Sequence, residues 1–387
     1  MHKNLVVPVF IIKMSLDLKV SGLMILLFLT YFSSILSLSG DINTWIDIDG
    51  IVQRIGKDVT TMEMRKLGKS GIEVSTIALG TWAMGGGPWW GNQDDNESIS
   101  AIHAAMDQGI NLIDTAPAYY FGHSEEVIGK ALKGCRDKVV LATKCGQIWD
   151  KKEGAYWYTH DGADIYICQE PATIRREIEK SLVRLQTDYI DLYQPHVPAR
   201  EPLKTPVEDS MAMLMQLKDE GKIRAIGICN EETSVLPKWI AAGDLATCQN
   251  KYSMLDRALE KDFIPFCREH SIGVLPYSPL EQGILTGRFT MDTKIGKTEY
   301  RNEIPWYQPE KRRLVIDMLN GWKSLTDKYG CTVAQLVIAW TVAQPGVTSV
   351  LCGARKVKNV MENAAAGKLH LEDADIAKIR KDVEAIS

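Results

Sequence analysis

From residue 62 onward, short runs of apolar, often β-branched residues alternate with stretches of helical length that are apolar on one face. The runs predict strands over Thr76–Gly80, Asn111–Thr115, Val139–Lys144, Tyr189–Gln194, Ile223–Ile228, Thr247–Tyr252, Gly273–Ser278 and Thr348–Gly353. Most are near-continuously apolar, the mark of strands covered on both faces. Between them the pattern predicts helices such as Asn96–Gln108, Ala172–Leu185, Val207–Glu220 and Thr332–Gln344, with a final surface helix over Glu372–Ile386. Thr205-Pro206 opens one helix and Glu220-Gly221 closes it.

Strands that each lead into a helix predict an α/β chain folded as a single (β/α)8 TIM barrel. A doubly wound sheet would need a glycine turn after its first strand, and "ALGTWAMGGGPWWG" has no G-x-G-x-x-G spacing into a helix. Ahead of the first strand, "MRKLGKSGIEVS" predicts a β-hairpin around Lys69-Ser70-Gly71, placed to plug the barrel bottom. The stretch 279–347 is too long for one crossover helix, so it holds an added loop and helix, giving extra C-terminal helices.

Composition narrows the class. The chain has 387 residues, 45% hydrophobic and 24% charged, with a formal net charge of -4, which suits a globular enzyme and gives no footprint for nucleic acid. Eight cysteines stand singly, without a C-x-x-C pair, and are expected as buried free thiols. Seven histidines are scattered, with only His196 on the predicted rim, so no metal site is expected. Residues 1–61 form a separate N-terminal extension, and 62–387 the barrel. Within the extension, Val20–Gly40 ("VSGLMILLFLTYFSSILSLSG") is uncharged and long enough to span a bilayer. Three readings stand: translation from an upstream start not used in the cell (Met62 and Met64 being internal candidates), a membrane anchor, or a cleaved signal. The first implies a cytoplasmic protein, and the others a membrane-anchored or exported one.

In such a barrel, working residues stand at the C-terminal ends of strands. The second strand ends at Asp114 in "NLIDTAPAYYFGHSEEVIGKAL", with Tyr119 five residues on. The third ends at Lys144 and the fourth leads to His196. A phenol near pKa 10 is a poor acid at neutral pH unless a cation stabilises its phenolate. Lys144 would supply that charge, Asp114 would hold the ammonium, and His196 would donate to a carbonyl oxygen, leaving it ready for hydride attack.

The motifs "LGKSGIEVSTIALGTW", "LIDTAPAY", "GHSEEVIGKAL", "LATK", "SLVRLQTDYIDLYQPH", "GKIRAIGICN" and "GARKVKNVMEN" resemble the aldo-keto reductase superfamily from about Met64 to the C-terminal helix. The similarity is greatest to the bacterial branch around the inositol-operon reductase and general stress protein, related to potassium-channel β subunits. The resemblance implies a tetrad of Asp114, Tyr119, Lys144 and His196 in an NADP(H)-dependent oxidoreductase that reduces aldehydes and ketones. It also implies a cofactor bound without a Rossmann turn. Asp114, Thr81 and Trp82 would meet it, Asn230 and Gln249 would bond the carboxamide, and Tyr277 would stack on the nicotinamide. Ser278, Pro279, Leu280, Gln282, Gly283 and Arg288 would clasp the pyrophosphate, with Arg301 a further phosphate partner. Gly353, Ala354, Arg355, Asn359, Glu362 and Asn363 match the adenosine end.

The chain departs from that pattern in several places. Cys229 replaces serine, Asn359 glutamine, and Gly353 a lysine of other branches. Arg355 and Lys356 remain as partners for a 2′-phosphate, which favours NADPH over NADH. "VPAR" follows His196 in place of Trp-Pro-Asp, and Tyr120 stands where glycine is usual. Tyr120 is expected at negative φ, with Gly122 absorbing the turn. Trp82, Trp89, Trp90, Tyr120 and Trp149 are candidate walls of an aromatic substrate pocket. The implied partner is a small-molecule carbonyl, with the chain a monomer or weak homo-oligomer and a membrane involved only if segment 20–40 is retained. The alternative is an NADP(H)-binding redox sensor with slow turnover, as in the channel β subunits.

Overall fold

The computed structural model describes residues 61–296 and 300–386. The hydrophobic stretch 20–40 lies outside them. Among the described residues no helix is long and apolar enough to cross a membrane.

The first elements form the predicted hairpin. β1 (Met64–Lys66) and β2 (Glu73–Ser75) pair antiparallel, with Met64 opposite Ser75. Leu67, Ile72 and Val74 bury their side chains among Ala78, Leu112, Ala142, Leu192, Ala225 and Leu351, so the hairpin supplies the floor of the barrel interior. Gly68 sits at φ 54°. A Cβ there would stand 2.0 Å from the Ala246 carbonyl oxygen, so only glycine lets the turn lie against the barrel backbone.

The remaining strands are β3 (Ile77–Gly80), β4 (Leu112–Asp114), β5 (Val140–Cys145), β6 (Gln147–Ile148), β7 (Ala155–His160), β8 (Ala163–Ile167), β9 (Ile190–Pro195), β10 (Ile223–Cys229), β11 (Leu245–Gln249), β12 (Gly273–Val274) and β13 (Val350–Gly353). Eight of them run parallel in the order β12-β11-β10-β9-β5-β4-β3-β13. Bridges from Val274 to Val347 and from Tyr277 to Leu351 join the two ends, which closes the expected (β/α)8 barrel. The seventh strand is shorter than predicted. Pro276 has no N–H for a ladder, and its carbonyl instead accepts from the Leu351 N–H at 2.8 Å.

Helices Asp95–Asp107, His123–Ala131, Pro171–Leu185, Val207–Asp219, Leu236–Ala242, Phe263–Glu269 and Val357–Ala366 follow the strands in turn. A continuous apolar cluster of strand and helix residues, Ile113, Leu141, Ile174, Leu214 and Ile226 among them, joins the two layers. The stretch 279–347 adds helices Pro309–Asn320, Lys323–Tyr329 and Val333–Val342. They pack with the final helix Asp373–Glu384 around Trp322 and Trp340. Thr332 and Gln335 cap Val333–Val342 reciprocally, which fixes its start.

One feature lies outside the sequence expectation. β6, β8 and β7 form a small antiparallel sheet in what was expected as a rim loop. Its hairpin turns at Asp161 and Gly162, with φ of 47° and 78°. An Asp-Gly pair between alternating strands is a strong local hairpin signal, and "AYWYTHDGADIYI" carries it.

Candidate active site

The barrel register brings the strand-end residues together. Asp114 ends β4, beside Ala142 of β5, and Lys144 lies two residues on. Lys144 is fully buried, and its ammonium donates to Asp114 Oδ1 at 2.6 Å, to the Thr115 carbonyl at 2.8 Å and to the Tyr119 hydroxyl at 3.1 Å. All three donors are thereby satisfied. Asp114 Oδ2 accepts from Gln249 Nε2 at 2.8 Å. Gln249, expected at the carboxamide, thus holds the carboxylate in place. Thr81 is buried beside them, and its N–H and hydroxyl both donate to the Asp114 carbonyl, at 3.1 and 2.9 Å.

His196 follows β9. Its N–H donates to the Cys145 carbonyl at 2.8 Å, and its own carbonyl accepts from Asn230 Nδ2 at 2.9 Å. Its ring stands edge-on to Tyr119, with centroids 5.9 Å apart. Burial and the Lys144 charge push its pKa well below the usual imidazole value, so the ring is neutral and can donate through one nitrogen. Burial opposes the charge on Lys144, yet the Asp114 carboxylate and the neighbouring Tyr119 hold its pKa above the ordinary value. Burial lifts Tyr119 to about 12, although Lys144 works in the opposite direction. This corrects the expectation that Lys144 draws the phenol down: desolvation outweighs the cation, and the hydroxyl keeps its proton across the neutral range.

Tyr120 departs from expectation as well. It lies at φ 54°, followed by Phe121 at 54° and Gly122 at 91°, so the turn is left-handed at three successive residues. The first two positions each cost on the order of 1–2 kcal/mol relative to a glycine. The Tyr120 ring occupies the space a side chain at Gly87 would take, Cδ2 standing 2.3 Å from an ideal Cβ there. Its hydroxyl donates to Asp161 Oδ2 at 3.1 Å.

The cofactor candidates fall into two groups. Near Tyr119 and His196, the Tyr277 hydroxyl donates to Asn230 Oδ1 at 2.7 Å. Beyond β12, Ser278, Glu281, Gln282 and Gly283 have φ of 60°, 44°, 51° and 107°. Runs of left-handed residues present backbone N–H groups as an anion-binding nest. Pro279 is buried and Leu280 partly so within this loop. Gln282 Nε2 donates to Ser278 Oγ at 3.1 Å, while Gln282 Oε1 is buried without a partner. The Arg288 guanidinium pairs with Glu362, which also accepts from the Thr332 hydroxyl at 3.1 Å. Arg301 lies 5.6 Å from the Phe289 ring centre. At the end of β13, Gly353 is exposed, with open space where a Cβ would stand. Ala354 is buried, and its N–H donates to the Gly80 carbonyl at 3.4 Å. Arg355 Nη1 donates to the Trp90 carbonyl at 2.8 Å, and Lys356 pairs with Glu97 at 3.4 Å. Asn359 is half-buried and Asn363 buried on helix Val357–Ala366.

The expected aromatic walls do converge. Trp82 packs edge-on against Trp89 and Trp90, at 5.9 and 5.1 Å, and lies 6.4 Å from Tyr119. Phe121 meets Trp149 at 5.4 Å. Sequence reasoning missed His160, which stacks on Trp89 at 3.8 Å, because it stands at the tip of the unanticipated hairpin. Arg200 of the divergent "VPAR" stretch lies 5.0 Å over Trp157 on the same hairpin.

Known proteins share this fold. The profile described as Aldo/keto reductase family matches residues 76–384. The chain is 43% identical over 327 residues to the NADH-specific methylglyoxal reductase of Escherichia coli (strain K12), a match covering 84% of this chain and 99% of that protein. The structure of glycerol dehydrogenase AKR11B4 from Gluconobacter oxydans superposes with a TM-score of 0.74 at 35% identity, covering 84% of this chain and 95% of that one. An aldo/keto reductase from Klebsiella pneumoniae in complex with NADP and acetate gives 0.61 at 29% identity, over 81% and 93% of the respective chains. A closed barrel, strand-end residues gathered on one rim and matches over most of the chain lead to one assignment: the protein belongs to the aldo/keto reductase family, as an oxidoreductase that works with a nicotinamide nucleotide.

Proposed function

We propose that this chain reduces small aldehydes and ketones to alcohols, with Asp114, Tyr119, Lys144 and His196 carrying the proton chemistry. The observation that carries the reading is the buried hydrogen-bond chain from Gln249 through Asp114 and Lys144 to the Tyr119 hydroxyl, beside a neutral His196. The residues fit a nicotinamide nucleotide. Asn230 and Tyr277 stand near the reacting groups, the Ser278–Gly283 nest and Arg288 suit a pyrophosphate, and Gln282 Oε1 is a buried acceptor awaiting a donor. When bound, the nucleotide supplies the hydride for the carbonyl carbon. Tyr119 gives its proton to the carbonyl oxygen as that oxygen gains charge. Lys144 stabilises the resulting phenolate, and Asp114 keeps the ammonium in position. The His196 imidazole donates to the same oxygen, and the aromatic rim keeps water from the pair. In this reading residues 62–387 form the catalytic barrel, and 1–61 an extension outside it.

Small substrates are favoured by the crowded aromatic mouth and by the relatives named for methylglyoxal reduction and glycerol oxidation. The NADPH preference expected from Arg355 and Lys356 is narrowed by their engagement with Trp90 and Glu97, and one relative is named NADH-specific. We therefore propose that both nucleotides serve. The test mixes purified protein with methylglyoxal and a panel of aldehydes and ketones, with NADH or NADPH in turn. Consumption of the reduced nucleotide is expected with small carbonyls; none across the panel with either nucleotide would refute the proposal. Tyr119→Phe should lower turnover by at least about 100-fold. Its nucleotide affinity, followed by tryptophan fluorescence, should stay at the parental value.

A further inference from the structure

The strained turn after Tyr119 is joined to a distant part of the chain. Two successive residues other than glycine, Tyr120 and Phe121, are held at φ 54°, which persists only where surrounding contacts over-determine it. Those contacts lead to the β7–β8 hairpin. The Tyr120 hydroxyl reaches Asp161 at the hairpin tip, and the Phe121 ring lies 6.0 Å from His160 beside it. His160 in turn stacks on Trp89, which packs against Trp82.

We infer that Tyr120 and Asp161 form a clasp that holds the β7–β8 hairpin as a lid over the substrate mouth, so that Tyr120 selects small carbonyls against bulky ones. The inference rests on the proposed reductase reading and names its substrate class. Because Tyr120 adjoins Tyr119 in one turn, the clasp fixes the lid relative to the proton donor. The lid offers flat aromatic faces, which admit a small planar aldehyde. A fused-ring aldehyde requires the hairpin to lift and the clasp to open.

The turn geometry makes the clasp testable without disturbing the hairpin. Asp161 sits at φ 47°, a conformation that asparagine and glycine also adopt. Asp161→Gly thus removes the acceptor and keeps the turn, Asp161→Asn keeps an acceptor oxygen, and Tyr120→Phe removes only the hydroxyl. In the full chain, Tyr120→Phe and Asp161→Gly should each speed amide hydrogen exchange in residues 155–167. Each should also raise the ratio of kcat/KM for 2-naphthaldehyde over methylglyoxal by about tenfold. The double variant should do no more than either single one, and Asp161→Asn should behave like the parent. Unchanged hairpin exchange, or faster exchange with an unchanged ratio, would overturn the inference, as would additive effects. If the parent reduces no carbonyl of the panel with either nucleotide, the reductase proposal fails, and hydrogen exchange alone decides whether the clasp exists.

Discussion

Lys144 has no route to water: each of its ammonium protons is taken up by a neighbour in the same small volume. Removing one partner of a buried pair leaves the other charge uncompensated, which typically costs about 3–5 kcal/mol. Lys144→Met should therefore lower the unfolding free energy by about that amount, with Asp114 left only the Gln249 amide. Adding Asp114→Asn should recover part of the loss, because the orphaned charge is gone. Denaturant melts of the three proteins check this, and a Lys144→Met variant as stable as the parent would contradict it. At this scale much was legible in the sequence. Asp114, Lys144 and His196 stand where apolar runs end, and the family resemblance, through its five-residue interval from Asp114, picks Tyr119 over Tyr120. The backbone of Tyr120 was not legible, because its handedness is set by Gly87 and Asp161, far away in the chain. The direction of the Tyr119 pKa was misjudged because charge proximity can be guessed from spacing, whereas depth of burial cannot.

Among the elements, the β1–β2 hairpin was legible in full, since its turn residues and flanking alternation lie within a dozen positions. It also carries a sharp prediction. Gly68→Ala would place a methyl against the Ala246 carbonyl at a left-handed position, and should destabilise the chain by on the order of 3 kcal/mol. An unfolding free energy within about 0.5 kcal/mol of the parent would show instead that the turn relaxes freely. The β7–β8 hairpin was missed although its Asp-Gly signal is equally local. Barrel logic assigns that stretch to a loop, and the larger pattern overrode the smaller one. β12 was overestimated for the opposite reason: an apolar run continues through Pro276, but a ladder cannot.

At the scale of the whole molecule, one buried acid makes stability depend on pH. Glu177, on helix Pro171–Leu185, accepts the Gly146 N–H at 2.6 Å behind the end of β5. Burial pushes its carboxyl up to about 8, with Glu125 adding to the effect and the Gly146 N–H opposing it. An unfolded chain releases that proton near 4.5, whereas the folded one keeps it to about 8. Its contribution to folding is therefore greatest at acid pH, falls as pH rises from about 5 to 8, and is level beyond. Glu177→Gln removes the proton and retains an acceptor for Gly146. Its stability relative to the parent should rise across that window by on the order of 4 kcal/mol, and a difference constant with pH would refute the assignment.

The hydrogen bond from Arg355 to the Trp90 carbonyl has a consequence for redesign. In the proposed reading Arg355 stands at the 2′-phosphate end of the nucleotide, and its guanidinium also props the backbone at Trp90, a candidate wall of the substrate pocket. On that reading nucleotide choice and substrate choice are not independent dials: replacing Arg355 to retune the first should also detune the second, and the two are best selected for together.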